Sequence, residues 1–426
     1  MRRERTASAA EAVVAVADAP TRADSRPASP RLGYVDGLRA LAALYVLASH
    51  CVTEVWPYNV VPGGAASALS TPLSYGHYAV SVFIVLSGFS LMLPVARNGN
   101  RLPHGAWGFY WRRARRILPP YYFAMALSLL LIWAWIGQPT GTHWDVSLPV
   151  TGQSIVEHVL LVQDFSRLNH ATINHAFWSI ALECQIYLFF PLLILAWRRY
   201  SPTFVTLGVM SLSFALLLLL DMTWVGQLPG YSSYTVAPQY LGLFAMGMWA
   251  ASAYTAQPPL WRRLRAWYVG EAVALICGAL LAININTAPI YTLDFLTGAG
   301  TVGLLIAASR PGRLNPVRAA LGWRPLVWMG GFAYSIYLIH APLVQLLWQY
   351  GLHPLRLGDL ATYLALVVVG LPLIVMASWL FWYVCERPFL NSKPAARTER
   401  SAWRSAARWL ALRFGREPVE AGAASE

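Results

Sequence analysis

The chain has 426 residues, of which 57% are hydrophobic and only 12% are charged. A soluble protein of this size carries about twice that charged fraction, so the composition excludes an ordinary soluble domain and indicates a polytopic membrane protein. The formal net charge of +13 does not indicate nucleic-acid binding, because the basic residues alternate with apolar segments as they do in membrane proteins.

The apolar segments predict an all-α fold with about ten transmembrane helices. The predicted spans are 36–54, 77–96, 117–136, 178–197, 203–222, 237–255, 267–285, 291–309, 328–349 and 361–384. They define a transmembrane domain over 33–390. Residues 1–32 are expected to form a disordered cytoplasmic tail. The tail 391–426 is basic, and for it an in-plane amphipathic helix and disorder both stay open.

The connecting loops predict the orientation of the chain in the plasma (inner) membrane. Arginines concentrate in 97–116, 256–266 and 309–327, whereas the alternate loops hold few basic residues. Loops rich in arginine stay on the cytoplasmic side, so both termini are predicted to be cytoplasmic. The longest outer connection, 137–177, is predicted to contain a short helix in its second half.

The first predicted span contains two ionisable residues, Arg39 and His50. Their separation corresponds to roughly 16 Å along a helix, or about three turns, so they lie near one face at different depths. Arg39 is close enough to the inner boundary to reach it by extending its side chain, which leaves a structural role open. His50 is too deep for that, and a functional role is favoured because ionisable groups in lipid usually mark a site.

An arginine-rich loop precedes the third predicted span. Arg113 and Arg116 lie one helical turn apart, next to Arg112, and two adjacent guanidinium groups suit a phosphate. Contact with lipid headgroups is the structural alternative for these residues.

Two further ionisable residues lie inside later spans, Glu183 in the fourth and His340 in the ninth. Counted from the span limits, both are expected near the level of His50. Glu386 and Arg387 end the last span, where a helix stop with local ion pairing is favoured. Arg39, Arg113, Arg116 and Arg387 are expected together at the inner face. A donor with a phosphate group and a long flexible arm, such as an acyl-coenzyme A, fits this layout.

Residues 34–390 resemble the acyltransferase 3 family of integral-membrane acyltransferases. The matching blocks are Asp36-Gly37-Leu38-Arg39 with His50, Phe83 to Phe89 with Ser87, Arg113-x-x-Arg116 with Tyr121, Trp178-Ser179 with Glu183, Tyr187 and Pro191, Tyr337-x-x-His340-x-Pro342, and Glu386-Arg387-Pro388. Their order along one topology is more specific than any single block.

The resemblance implies transfer of an acyl group, commonly acetyl from acetyl-coenzyme A, to a hydroxyl of a carbohydrate or glycosylated metabolite. Acyl-coenzyme A is then a co-substrate. We expect no tightly bound cofactor and no metal, and the isolated cysteines give no zinc spacing. The expected partners are donor, acceptor and membrane lipids, without nucleic acid, and the oligomeric state is left open.

The residues of the matching blocks receive provisional roles. His50 is expected to act as a general base, with an acyl-histidine as the variant mechanism. Arg39 is expected to orient the donor, and Glu183 to orient an imidazole or bind the acceptor. The expected donor-binding residues are Arg113, Arg116, Arg112, Ser87 and Tyr121. The residues expected to contact or support the acceptor site are His340, Tyr337, Trp178, Ser179, Glu386 and Arg387.

A competing hypothesis is a proton-coupled transporter or flippase in which His50, Glu183 and His340 form a relay. The arginine pair and the absence of an internal repeat argue against it. A purely structural scaffold would leave the ionisable residues of the spans unexplained.

Overall fold

A computed structural model describes residues 32–57, 60, 62–166, 168–222, 237–312 and 314–390. Regular structure within these ranges is helical throughout, without a β-strand. The all-α class predicted from the sequence is therefore confirmed. The predicted tails lie outside the described residues, apart from residue 32.

The α-helices range in length from 4 to 27 residues. In chain order they are α1 (Gly33–Val55), α2 (Gly64–Ser70), α3 (His77–Arg97), α4 (Gly105–Leu131), α5 (Gly152–Leu160), α6 (Trp178–Arg199), α7 (Pro202–Met222), α8 (Gln239–Ala256), α9 (Pro259–Ala266), α10 (Val269–Asn284), α11 (Ile290–Ser309), α12 (Pro316–Leu321), α13 (Arg324–Gly330), α14 (Ala333–Leu346), α15 (Asp359–Ala365), α16 (Leu371–Phe381) and α17 (Arg387–Leu390). The π-helical turns are Ile132–Ile136, Leu347–Leu352, Leu366–Gly370 and Trp382–Glu386, and the 3₁₀ turns are Thr71–Leu73, His143–Ser147, Gln163–Phe165 and His353–Leu355.

Within the described ranges, seven helical segments are long and apolar enough to cross a membrane, and two bent pairs raise this to as many as nine. The bent pairs are α9 with α10, at 71°, and α13 with the helix that begins at Ala333, at 77°. The chain is therefore a multi-pass membrane protein. The predicted span 237–255 corresponds to α8, which lies outside this set. The count of ten and the cytoplasmic termini stay predictions.

Helix α6 shows how one helix serves both lipid and interior. Leu188, Leu192 and Leu195 recur at helical spacing and are exposed, which suits contact with acyl chains. Tyr187 and Phe190 lie on the other face and are buried. Helix α6 therefore presents one face to lipid and the other to the bundle.

Helices α3 and α8 pack backbone against backbone, because glycines lie where they cross. A Cβ on Gly88 would lie 2.1 Å from the carbonyl oxygen of Phe244, and a Cβ on Gly247 would lie 2.0 Å from that of Val85. Such small-residue crossings are how membrane helices approach closely. This crossing fixes the part of α3 that carries Ser87.

The beginning of α1 is held in the same way. A Cβ on Gly37 would lie 1.7 Å from the carbonyl oxygen of Leu321, at the end of α12. A Cβ on Gly330 would lie 2.0 Å from the carbonyl oxygen of Asp36. The glycine of the Asp36-Gly37-Leu38-Arg39 block is therefore a packing requirement that positions Arg39.

The connection 137–177 folds against the bundle. It contains α5, which overlaps the short helix predicted for its second half and begins at a capping box formed by Thr151 and Ser154. The hydroxyl of Tyr121 on α4 donates to the carbonyl of His158, 3.0 Å away, and anchors α5. The connection thereby brings two of its own histidines to the bundle interior.

Candidate active site

His50 on α1 and His340 on α14 form a hydrogen-bonded pair. His50 Nδ1 lies 2.6 Å from His340 Nε2, and the rings stack at 9° with centroids 4.9 Å apart. His340 Nδ1 lies 2.8 Å from the carbonyl oxygen of Tyr337 and 3.1 Å from that of Ile336. Carbonyl oxygens only accept, so in a neutral pair His340 Nδ1 donates to them and Nε2 accepts from His50 Nδ1. The remaining nitrogen, His50 Nε2, then keeps its lone pair.

His143 and His175 complete a histidine cluster with His50 and His340. The ring centroid of His175 lies 4.7 Å from that of His50, edge-on, and 4.6 Å from that of His143. The rings of His50 and His143 stack with centroids 5.9 Å apart. One nitrogen from each of His50, His143 and His175 lies within 4.8 Å of the others, which is a grouping able to hold a metal ion.

Burial keeps two members of the histidine cluster, His143 and His175, neutral. His143 and His175 are each 8% exposed. Burial lowers the pKa of His143 to about 4. Burial, followed by repulsion from His143, His50 and His340, lowers the pKa of His175 well below its ordinary value. Near neutral pH both rings therefore offer lone pairs rather than positive charge.

Polar contacts fix the segment that delivers His175. Asn174 donates to the carbonyl of Leu338 on α14 at 3.0 Å, and its side-chain oxygen accepts from the backbone N–H of Ala176. The hydroxyl of Ser147 accepts from the backbone N–H of His175 and lies 3.2 Å from its Nδ1. This segment is therefore fixed by α14 and by the 3₁₀ turn that contains Ser147.

The next polar contact joins α6 to α14. The Ser179 and Tyr337 hydroxyls lie 2.7 Å apart, and Phe83 packs edge-on against the Tyr337 ring. Because Asn174 contacts Leu338 whereas the later Ser179 contacts the earlier Tyr337, α14 runs antiparallel to this part of the chain.

Glu183 lies one turn beyond Ser179 in a carboxylate triad with Ser87 and Tyr187. Ser87 Oγ donates to Glu183 Oε1 at 2.9 Å and lies 2.7 Å from the Tyr187 hydroxyl. The Tyr187 hydroxyl also donates to Glu183 Oε1. These bonds satisfy the part-buried acid, whose oxygens would otherwise lose hydrogen bonds to water.

An arginine group, made of Arg39, Arg113 and Arg116, lies beyond the carboxylate triad. Arg113 interacts electrostatically with Glu183 and Tyr187, and both Arg39 and Arg113 face the charge of Arg116. Arg39 pairs with Asp36 at 3.0 Å and donates to Ser90. Arg39 is 25% exposed at its side chain, so this group is less enclosed than the histidine cluster.

One polar column runs through the bundle. It consists, in this order, of the histidine cluster, the Ser179–Tyr337 contact, the carboxylate triad and the arginine group. From their offsets on antiparallel helices, Glu183 and His340 are separated by roughly 10 Å along the axis. His50 and His340 meet as expected, but Glu183 lies nearer the arginines than one shared level would place it. Helix limits read from hydropathy are soft by several residues, and this shift is of that size.

The structure brings other predicted residues to different contacts. Arg112 is exposed and donates to the carbonyl of Pro103 at 2.8 Å. Arg387 lies over the rings of Tyr383 and Trp382, and Glu386 accepts from Ser335. Each of these side chains therefore has a local partner.

Two aromatic residues of the matching blocks also have structural contacts. Tyr121 is fully buried and anchors α5, so its hydroxyl is engaged away from the arginine group. Trp178 stacks on His77 with centroids 5.8 Å apart, and Tyr240 lies beside both rings.

Sequence reasoning missed His143, His175 and Tyr187 as site residues. Histidines in a polar connection carry no cost that would single them out, and a tyrosine is ordinary inside a membrane helix. The available signal was the presence of several histidines on the predicted outer side of the chain, where His50 and His340 also approach.

The chain is similar to known acyltransferases. A family profile described as an acyltransferase domain matches residues 32–383. The acyltransferase MdmB of Streptomyces mycarofaciens is 27% identical over 86% of this chain and 93% of its own length.

Two longer relatives match as well. The peptidoglycan O-acetyltransferase OatA of Listeria monocytogenes is 22% identical over 73% of this chain, and a putative O-acetyltransferase of Staphylococcus aureus is 23% identical over 87%. The matches span 49% and 59% of those two proteins, so the chain corresponds to only about half of their length. No solved structure matches the chain. Because the family profile matches most of its length, the chain belongs to this acyltransferase family.

Proposed function

We propose that the protein is a membrane O-acyltransferase that moves an acetyl group from acetyl-coenzyme A to a hydroxyl of a carbohydrate or glycosylated metabolite. His50 is the general base of this reaction. The protein spans the plasma membrane several times with both termini in the cytoplasm, and the donor enters at the arginine group.

The observation that carries the proposal is the direction of the hydrogen bonds at His50. Its Nδ1 lies 2.6 Å from His340 Nε2, and His340 is itself fixed by backbone carbonyls. This series of hydrogen bonds supports the His50 tautomer whose Nε2 can accept a proton, as a general base must.

The reaction is then an ordinary acyl transfer. The acceptor hydroxyl gives its proton to His50 Nε2 as its oxygen attacks the thioester carbonyl. A new C–O bond forms, the C–S bond breaks, and the coenzyme A sulfur takes the proton from the His50 imidazolium. The ring returns to its starting state, and no further reactant is required.

The arginine group suits the phosphates of the donor. Guanidinium groups bind phosphate oxygens with charge-assisted hydrogen bonds, and Arg113 and Arg116 lie on one side of α4. Arg39 and His50 are separated by roughly 16 Å along α1. A donor held at the arginines therefore needs the long arm of coenzyme A to bring its thioester to His50, with Ser87 and Tyr187 beside that arm.

The acceptor approaches from the opposite end of the polar column. The carbohydrate class is supported by the relative whose name specifies peptidoglycan. Glu183 supports the middle of the column through the carboxylate triad, and Tyr337 and Ser179 separate this triad from His50.

The test uses membranes that contain the full chain, supplied with acetyl-coenzyme A radiolabelled in the acetyl group. Label is expected in the extracted glycan and glycolipid fraction, and His50→Ala is expected to reduce its rate by about 10²- to 10⁴-fold, the usual contribution of a positioned base. Mass spectrometry of surface glycans and secreted metabolites, from cells with and without the gene, identifies the acceptor by an acetyl-sized difference.

The matched control is His353→Ala, which removes an exposed histidine near the end of the helix that carries His340. It should leave label transfer unchanged, and both variants should be present in the membrane at wild-type amounts. Full transfer by His50→Ala would refute the assigned base. Proton-coupled uptake of substrate without any acetylation would favour a transporter instead.

A further inference from the structure

The inference concerns His50, His143 and His175, which are brought together from three distant parts of the chain. One nitrogen from each ring lies within 4.8 Å of the other two. Tetrahedral Zn²⁺ holds imidazole nitrogens at about 2.0–2.1 Å, which puts them roughly 3.4 Å apart. The widest pair is thus no more than ~1.4 Å too far apart, a distance that small side-chain rotations close.

The hydrogen bonds around two of these rings match those of metal-binding histidines. Such a ligand usually donates its second ring N–H to a carbonyl, a carboxylate or another acceptor, which fixes the ring and its tautomer. His50 Nδ1 has this bond to His340 Nε2. His175 Nδ1 lies beside Ser147 Oγ at 3.2 Å, while its Nε2 is buried without a hydrogen-bond partner.

The surroundings of the three rings are enclosed. His143 and His175 are each 8% exposed. Glu54 lies one turn beyond His50 on α1, is 4% exposed, and has a buried Oε1 without a hydrogen-bond partner. Three imidazoles select Zn²⁺, Cu²⁺ or Ni²⁺ rather than Mg²⁺ or Ca²⁺, which prefer oxygen ligands.

We propose that His50, His143 and His175 form a binding site for a transition-metal ion of the Zn²⁺ type, and that the metal-bound state does not transfer acyl groups. The second clause rests on the proposed function. His50 Nε2 has one lone pair, which binds either the metal or the proton of the acceptor hydroxyl. Metal binding therefore competes with the base, and removal of the metal restores it.

The binding test uses the full-length protein in detergent, purified through a tag without histidines and stripped with a chelator. Zn²⁺ is titrated against a chromophoric competitor, and bound metal is measured by elemental analysis. One tightly held Zn²⁺ per chain is expected. Both His143→Gln and His175→Gln should weaken it by at least tenfold, while His353→Gln should not. Replacement by Co²⁺ should give the visible absorption of a tetrahedral nitrogen site.

The glutamine variants keep the approximate size of the ring, and an unchanged melting temperature shows that they fold. If one of them does not fold, the other and the Co²⁺ spectrum of the wild type decide the matter. Absence of tight Zn²⁺ binding would overturn the site, and so would a tight Zn²⁺ that both folded variants retain.

The activity test uses the acetyl-transfer assay. Zn²⁺ should inhibit the wild type, a chelator should reverse this, and Mg²⁺ should have no effect. In His143→Gln, the half-inhibitory Zn²⁺ concentration, measured against that variant's own metal-free rate, should rise at least tenfold. Full transfer with bound Zn²⁺ would overturn the inactive state. If no transfer occurs under any condition, the proposed function fails, while the binding measurement still decides the metal site.

Discussion

The two ends of the polar column solve the problem of polar groups in a membrane in different ways. The arginine group carries permanent positive charge and lies where it is partly exposed, with Arg39 25% exposed at its side chain. Three members of the histidine cluster, His143, His175 and His340, are buried, and His340 is 1% exposed. Isolated charges are costly to bury, whereas neutral imidazoles that hydrogen-bond to one another are not. Charge is therefore placed at the open end and lone pairs at the closed end.

This difference matches the two tasks of the proposed reaction. Permanent cations can grip the phosphates of a donor without changing protonation state. Neutral histidines can take a proton, which a permanent cation cannot do. Substitutions at the arginine group should therefore alter donor binding, whereas substitutions at the histidine cluster should alter the rate of the chemical step.

The strongest test at the closed end concerns His340, which positions His50 rather than contacting the substrate. His340→Leu removes the acceptor for His50 Nδ1 and releases the ring, and a misplaced catalytic group costs about 10²-fold. We expect kcat to fall by about this factor with little change in KM for acetyl-coenzyme A.

His340→Gln provides the rescue, because its side-chain oxygen can lie near the position of Nε2 and accept the same bond. It should recover part of kcat. A purely structural role for His340 predicts no such recovery, since both variants would then follow the amount of folded protein. Steady-state kinetics at matched protein levels distinguish the two.

The next test concerns the open end and uses neighbouring residues. Arg113→Ala removes a guanidinium that faces Glu183 and Tyr187. A hydrogen bond to a charged group contributes about 1.5–3 kcal/mol, so KM for acetyl-coenzyme A should rise roughly ten- to hundredfold. The value of kcat should change much less.

Arg112→Ala is the matched control, since Arg112 is exposed and donates to the carbonyl of Pro103. It removes the same charge one residue away and should leave KM nearly unchanged. Equal effects of the two variants would mean that general surface charge, rather than the arginine group, attracts the donor.

The sequence revealed the residues of the column whose position is energetically costly. Arg39, His50, Glu183 and His340 lie in apolar spans, where an ionisable group requires a reason, and all four lie in the column. His143 and His175 lie in a polar connection, where a histidine is unremarkable. Only the folded connection brings them to the cluster.

The direction in which a helix residue points could not be predicted from hydropathy. Neighbouring helix residues point about 100° apart. Arg112 and Arg113 accordingly have different surroundings, and Arg387 lies over aromatic rings of its own turn. The helical class follows from composition, whereas the close approaches at Gly37 and Gly88 depend on backbone contacts between distant segments.

The smallest expected effect is on the pH dependence of stability and concerns Asp164, which lies in the connection that carries His143 and His175. Burial raises the pKa of Asp164 to about 6, although Gln185 donates to both of its oxygens at 2.8 and 2.9 Å. The ordinary value for an aspartate is about 3.9. The connection 137–177 thus favours the neutral form of an acid as well as that of its histidines.

The sign of the resulting pH dependence follows from proton binding. The folded state binds the proton of Asp164 more tightly than the unfolded state does, so its stabilising contribution is complete below about pH 4 and is lost as the pH rises through 6. A shift of this size corresponds to roughly 2–3 kcal/mol.

Asp164→Asn, which cannot ionise, should remove this pH dependence of stability. Between pH 4.5 and 7, the melting temperature of the wild type should fall by a few degrees relative to the variant, as followed by tryptophan fluorescence in detergent. Asp359→Asn changes an exposed aspartate at the start of α15 and should leave the wild-type profile unaltered. A wild type that instead gains stability over Asp164→Asn as the pH rises would mean that the bonds from Gln185 outweigh burial, and the connection would then tolerate a charge at this position.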